Sequence, residues 1–114
     1  MIGQLLLATL AKAAAPYAPP PELFYHQAVA CAASSVAAKD NAEAEPTADQ
    51  FGETMTWGLI LAEFGQKAKR SRDQVDSGDV KTAEAFYRRL KTTKPAAFAA
   101  HRTYCRALLD ADRP

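Results

Sequence analysis

After Pro21, apolar residues recur at spacings of three and four and show no strand-like alternation, a pattern that predicts helices throughout. Four segments carry it. The first runs from Pro21 or Glu22 to about Ala38, with Leu23, Phe24, Ala28, Cys31, Ser35 and Ala38 on one stripe. Proline suits a first helical position, and Glu22 suits the positive end of the helix dipole. Lys39 to Pro46 is polar, with acids at Asp40, Glu43 and Glu45, and reads as a loop.

The second helix starts at Thr47, where Thr47 and Gln50 fit a capping box, and continues to about Arg72. Its middle, Met55 to Phe64, is apolar over a wide face. One stripe is Phe51, Met55, Gly58, Leu59 and Ala62, and another is Trp57, Leu61, Phe64 and Ala68. That breadth predicts the central helix of the fold, with neighbours on two sides. Asp76 to Asp79 (Asp-Ser-Gly-Asp) reads as a turn. The third helix follows over Val80 to about Thr92, capped by Asp79, with Val80, Ala83, Phe86 or Tyr87, and Leu90 facing inward. Pro95 starts the fourth, which reaches about Ala111 and turns Phe98, His101, Cys105, Leu108 and Leu109 inward. The expected fold class is all-α: a small antiparallel bundle of about four helices over residues 22–112, joined by short loops.

The first residues differ in kind. Met1 to Ala15 offers a short apolar run followed by small residues, the order of a secretory signal peptide. The expected organisation is therefore a signal-like helix over residues 1–15, a Pro-rich linker over 16–21, and the bundle. The apolar run falls short of the ~20 residues that span a bilayer. The segment lacks a basic start, and a cytosolic amphipathic helix is its other reading. Tyr17-Ala-Pro-Pro-Pro21 is stiff and extended, because consecutive prolines favour polyproline II.

Composition sharpens the picture at one point. The 114 residues are 48% apolar and 24% charged, as in ordinary globular chains, but much of the apolar share is alanine. The core then depends on a few large residues: Leu23, Phe24, Phe51, Met55, Trp57, Leu59, Ile60, Leu61, Phe64, Phe86, Leu90, Phe98, Leu108 and Leu109. Net charge is +1, with no general pull toward nucleic acid. Residues 1–66 carry two lysines against seven acids, and residues 67–114 carry twelve basic residues against six acids. Acidic and basic helices lying side by side would absorb this asymmetry. The sharper reading gathers Lys67, Lys69, Arg70, Arg72, Arg88, Arg89, Lys91 and Lys94 into one cationic end. Such an end would meet an acidic partner or anionic lipid headgroups.

The two cysteines carry the most chemistry. Cys31 lies in the first helix of the bundle and Cys105 in the last, neighbours in an up-down-up-down arrangement, so a disulfide between them is expected in an oxidising compartment. The expected localisation is periplasmic or secreted, with a cytoplasmic chain of free thiols as the alternative. A metal-binding or redox-active alternative uses His26, Cys31, His101 and Cys105. His101 and Cys105, four apart, turn toward one point, whereas His26 and Cys31, five apart, diverge by about 140°. There is no CxxC, HExxH, GxSxG or glycine-rich phosphate loop. Glu53 and Glu63, ten apart on the second helix, could face inward as a carboxylate pair. No catalytic residue and no cofactor is indicated. The function expected is that of an accessory domain acting by contact with another protein.

Overall fold

A computed structural model describes residues 21–39 and 48–111. The proposed signal segment, most of the linker, the acidic loop and Thr47 of the expected capping box lie outside these residues. The fold is all-α: α1 (Pro21–Lys39), α2 (Ala48–Lys67), α3 (Val80–Thr93) and α4 (Pro95–Ala111), with a π-helical turn (Gln74–Asp79) leading directly into α3. Consecutive helices run antiparallel. Phe24 meets Phe64 at 4.6 Å between ring centres, while Ser35 accepts from Thr54 at 3.1 Å. In contrast, α1 and α3 run parallel. Tyr25 donates to Asp79 at 2.7 Å at one end, and Lys91 donates to the carbonyl of Ala37 at 2.7 Å near the other.

The central helix is α1, not α2. Tyr25, Ala28, Val29, Cys31, Ala32, Ala33, Ser34, Ser35 and Ala37 are all buried, on every side of the helix, and α1 packs against each of the other three. Its small side chains explain this. Alanine and serine let three neighbouring backbones come close at once, and beyond Gln27 α1 has no polar face to present to water. The expectation for α2 holds for half of its surface. Trp57 and Leu61 join the core around Tyr25 and Val75, whereas Met55 and Leu59 of the other stripe are exposed, at 63% and 72%. Leu23 and Phe86 are also outside the core, and in α3 Tyr87, not Phe86, turns inward. The Phe51 side chain lies outside the described residues.

The α2–α3 junction also departs from expectation. The chain leaves α2 after Lys67, earlier than Arg72, through a Schellman closure: Arg70 N–H bonds the Gly65 carbonyl at 2.8 Å, and Lys69 N–H bonds that of Gln66 at 3.0 Å. Lys69 adopts φ 61°, a left-handed conformation that glycine usually takes. The next helical stretch begins with a reciprocal cap. Gln74 N–H donates to Ser71 Oγ at 3.1 Å, and Ser71 N–H donates to Gln74 Oε1 at 2.7 Å. Asp76 to Asp79 is therefore helical and not a turn, and Asp79 makes no side-chain cap. With Ser71 already satisfying the exposed N–H groups, Asp79 is free to accept from Tyr25.

Candidate functional site

Two places concentrate chemistry, and α1 contributes Cys31 and Ser34 to one of them. There Cys31 and Cys105 are joined as a disulfide with Cα atoms 5.5 Å apart, and both residues are fully buried. The helical stripes of α1 and α4 bring them face to face. His101, one turn before Cys105, places Nε2 3.3 Å from the Cys105 sulfur. Its ring stacks on Tyr87 from α3, 4.6 Å between centres and 17° from parallel. Burial holds its pKa below the ordinary histidine value, against an opposing hydrogen bond to the backbone of Ala30 and with a smaller push from Arg102. The same burial raises the pKa of the Tyr87 phenol.

A polar chain runs from the sulfurs to α2. Ser34 Oγ lies 3.9 Å from Cys105 Sγ, donates to the Cys31 carbonyl at 3.2 Å, and accepts from Arg102 at 3.2 Å. Arg102 in turn pairs with Glu53, which is only 7% exposed and also lies 3.6 Å from Arg106. Oε2 of Glu53 and Nε1 of Trp57, one turn apart on α2, are buried without a hydrogen-bond partner. A buried ion pair of this kind is expensive to desolvate and costly to break. Its value here is positional: it locks α2 to α4 beside the disulfide.

The second place is the open side of α2. Met55, Leu59, Ala62, Gly65, Arg70 and Val75 contribute to a groove of about 650 Å³. At Gly65 an added Cβ would sit 3.1 Å from Val75, so this glycine lets the π-helical turn close against α2. Gly58 faces open space. At the groove's end, Arg70 bonds Glu22 at 2.6 Å, approaches Asp79 at 3.7 Å, and lies over the Tyr25 ring at 5.1 Å. Its hydrogen bond holds the Glu22 carboxyl below the usual carboxylate range. Burial and the bond to Asp79 push the Tyr25 phenol well above its ordinary value.

The structure brings Cys31, His101 and Cys105 together and leaves His26 out, since His26 is exposed and paired with Glu22 at 3.0 Å. It also divides the eight cationic residues. Lys67, Lys69, Arg70 and Arg72 surround the α2–α3 junction, while Arg88, Arg89, Lys91 and Lys94 end α3, some 24 Å of helix away. One cationic end is therefore not formed. Several basic groups meet acids instead: Lys67 with Glu63, Arg72 with Asp76, and Arg88 with Glu84. The pairs Arg70–Glu22 and Arg102–Glu53 join the basic half of the chain to the acidic half. Glu63 is exposed, so it forms no inward pair with Glu53. The sequence reading missed Ser34, Arg102 and buried Glu84. Only the helical register, which puts Ser34 and Arg102 beside the cysteines, could have signalled the first two.

No protein-family model, curated protein or solved structure matches this chain. Among the described residues, no helix is long and apolar enough to cross a membrane.

Proposed function

We propose that this chain is a small exported accessory domain, stapled by Cys31–Cys105, that acts by binding an amphipathic helix of a partner protein along the open face of α2. The observation that carries the reading is the exposure of Met55 and Leu59 beside a groove, in a domain whose other large apolar residues are mostly covered. Exposed apolar side chains in a row cost solubility unless something uses them. Met55, Gly58, Leu59 and Ala62 repeat at helical spacing with a gap at Gly58, a surface into which a second helix can settle. At one end Arg70 and Arg72 already pair with Glu22 and Asp76, so the apolar side chains carry the docking.

Export rests on the order of residues 1–15 and on a pair of cysteines placed to bond. The test places a photo-crosslinking residue at Leu59 or, as a control, at Lys94 in the full chain expressed in its own cell. One adduct specific to position 59, lost on Met55→Glu, supports the reading. Equal adducts at both positions, or none, overturn it. Intact mass decides the leader separately: a full-length chain with two titratable thiols replaces the exported domain with a cytoplasmic one.

A further inference from the structure

We propose that in the dithiol form of this protein Cys31, Cys105 and His101 bind one zinc ion, so that α1 stays tied to α4 in either redox state. The proposal is independent of how the open face of α2 is used. The ligand atoms, two Sγ and one imidazole nitrogen, lie within 4.8 Å of one another. Two thiolates and an imidazole are a donor set that zinc takes readily. In a tetrahedral site with Zn–S bonds of about 2.3 Å, the sulfurs stand about 3.8 Å apart. Side-chain rotation provides that separation for α-carbons 5.5 Å apart.

The imidazole is already oriented as a ligand. Tyr87 stacks on its face, and the ring hydrogen-bonds the backbone of Ala30, next to Cys31. Metal-bound histidines are held this way, with the second ring nitrogen donating to a carbonyl or carboxylate. Nε2 of the ring lies 3.3 Å from the Cys105 sulfur. The Ser34 hydroxyl, 3.9 Å from Cys105 Sγ, is an oxygen within reach of the fourth position.

Charge selects the ion. Two thiolates cancel Zn²⁺, and the adjoining Arg102–Glu53 pair is itself neutral, so the buried cluster carries no net charge. A monovalent soft cation would leave one negative charge uncompensated inside the domain. The step balances with an external dithiol as reductant. The dithiol gives two electrons and two protons to the Cys31–Cys105 bond and becomes a disulfide. The two new thiols then release two protons as zinc binds. The oxidised sulfurs have no thiolate to offer, so disulfide formation and zinc binding exclude each other.

The test uses the full chain, reduced with a dithiol and freed of it without oxygen, then titrated with zinc against a chromophoric chelator. Cobalt serves as the coloured stand-in, and circular dichroism follows helicity. The expected result is one equivalent of zinc, tetrahedral cobalt bands with thiolate charge transfer, and no binding to the disulfide form. Cys31→Ser and Cys105→Ser should each weaken binding at least ~100-fold, and His101→Ala at least ~10-fold. If the reduced chain unfolds, zinc should restore its helicity. Less than half an equivalent bound, equal binding by the disulfide form, or undiminished binding by the serine variants overturns the proposal.

Discussion

Helices α1 and α2 are almost equally apolar, yet one is enclosed and the other half open. After Tyr25 the enclosed one is mostly alanine, serine, valine and cysteine; the half-open one carries Trp57, Met55, Leu59 and Phe64. Side-chain size, not hydrophobicity alone, set the outcome. Small residues let α2, α3 and α4 gather around α1, whereas the bulk on α2 holds neighbours to one side. The buried side of α2 faces Tyr25 and the polar chain to the disulfide; its open side faces solvent and the groove.

This contrast can be broken most sharply at Trp57, 1% exposed. Trp57→Ala should cost about 3–5 kcal/mol in urea denaturation, while Leu59→Ala on the opposite side should cost less than about 0.5 kcal/mol. Equal losses at the two positions would show that the open face is covered. The paired variant Cys31→Ser with Cys105→Ser should cost up to about 4 kcal/mol, the chain-entropy value for a loop of 74 residues. Glu53→Ala should cost about 3 kcal/mol by leaving Arg102 without its buried counter-charge, and joint replacement of Glu53 and Arg102 by leucine should recover most of that.

A pH titration of the disulfide form probes the closed seam more gently. His101 resists protonation in the fold because it is half-buried, so the unfolded chain takes up its proton first. The stability contribution is complete above the ordinary pKa of 6.5 and declines as pH falls below it, until the folded histidine also titrates. His101→Gln should flatten the urea midpoint between about pH 7 and about pH 5. The smallest change is a gain: Lys69→Gly should add up to ~1 kcal/mol by relieving the left-handed backbone at φ 61°.

The helices themselves were legible in the sequence, as were the partnership of Cys31 with Cys105 and the convergence of His101 on Cys105. Periodicity gives faces, and faces gave those contacts. It did not give rank among faces. Both stripes of α2 look like core until one knows that only one side has a neighbour, and α1 looks like a peripheral helix because alanine is a weak signal. The α2–α3 junction was misread for a different reason. Asp76-Ser-Gly-Asp79 is a strong turn pattern, but Ser71 and Gln74 had already capped the helix, and Tyr25 of α1 and Arg70 hold the Asp79 carboxylate. The buried Glu53 and Glu84 violate the usual preference of acids for water. Nothing in the spacing of a single chain announces a counter-ion 49 residues away at Arg102.

The position of α1 in the chain has a consequence for synthesis. The helix that everything else wraps is the first of the domain to leave the ribosome, and its last partner is the final one. Until residues near 105 have emerged, α2 and α3 can cover α1, but its face toward α4 stays open and Cys31 has no partner. The disulfide is therefore the last tie to form, and a nascent chain cut short before Cys105 should lack it.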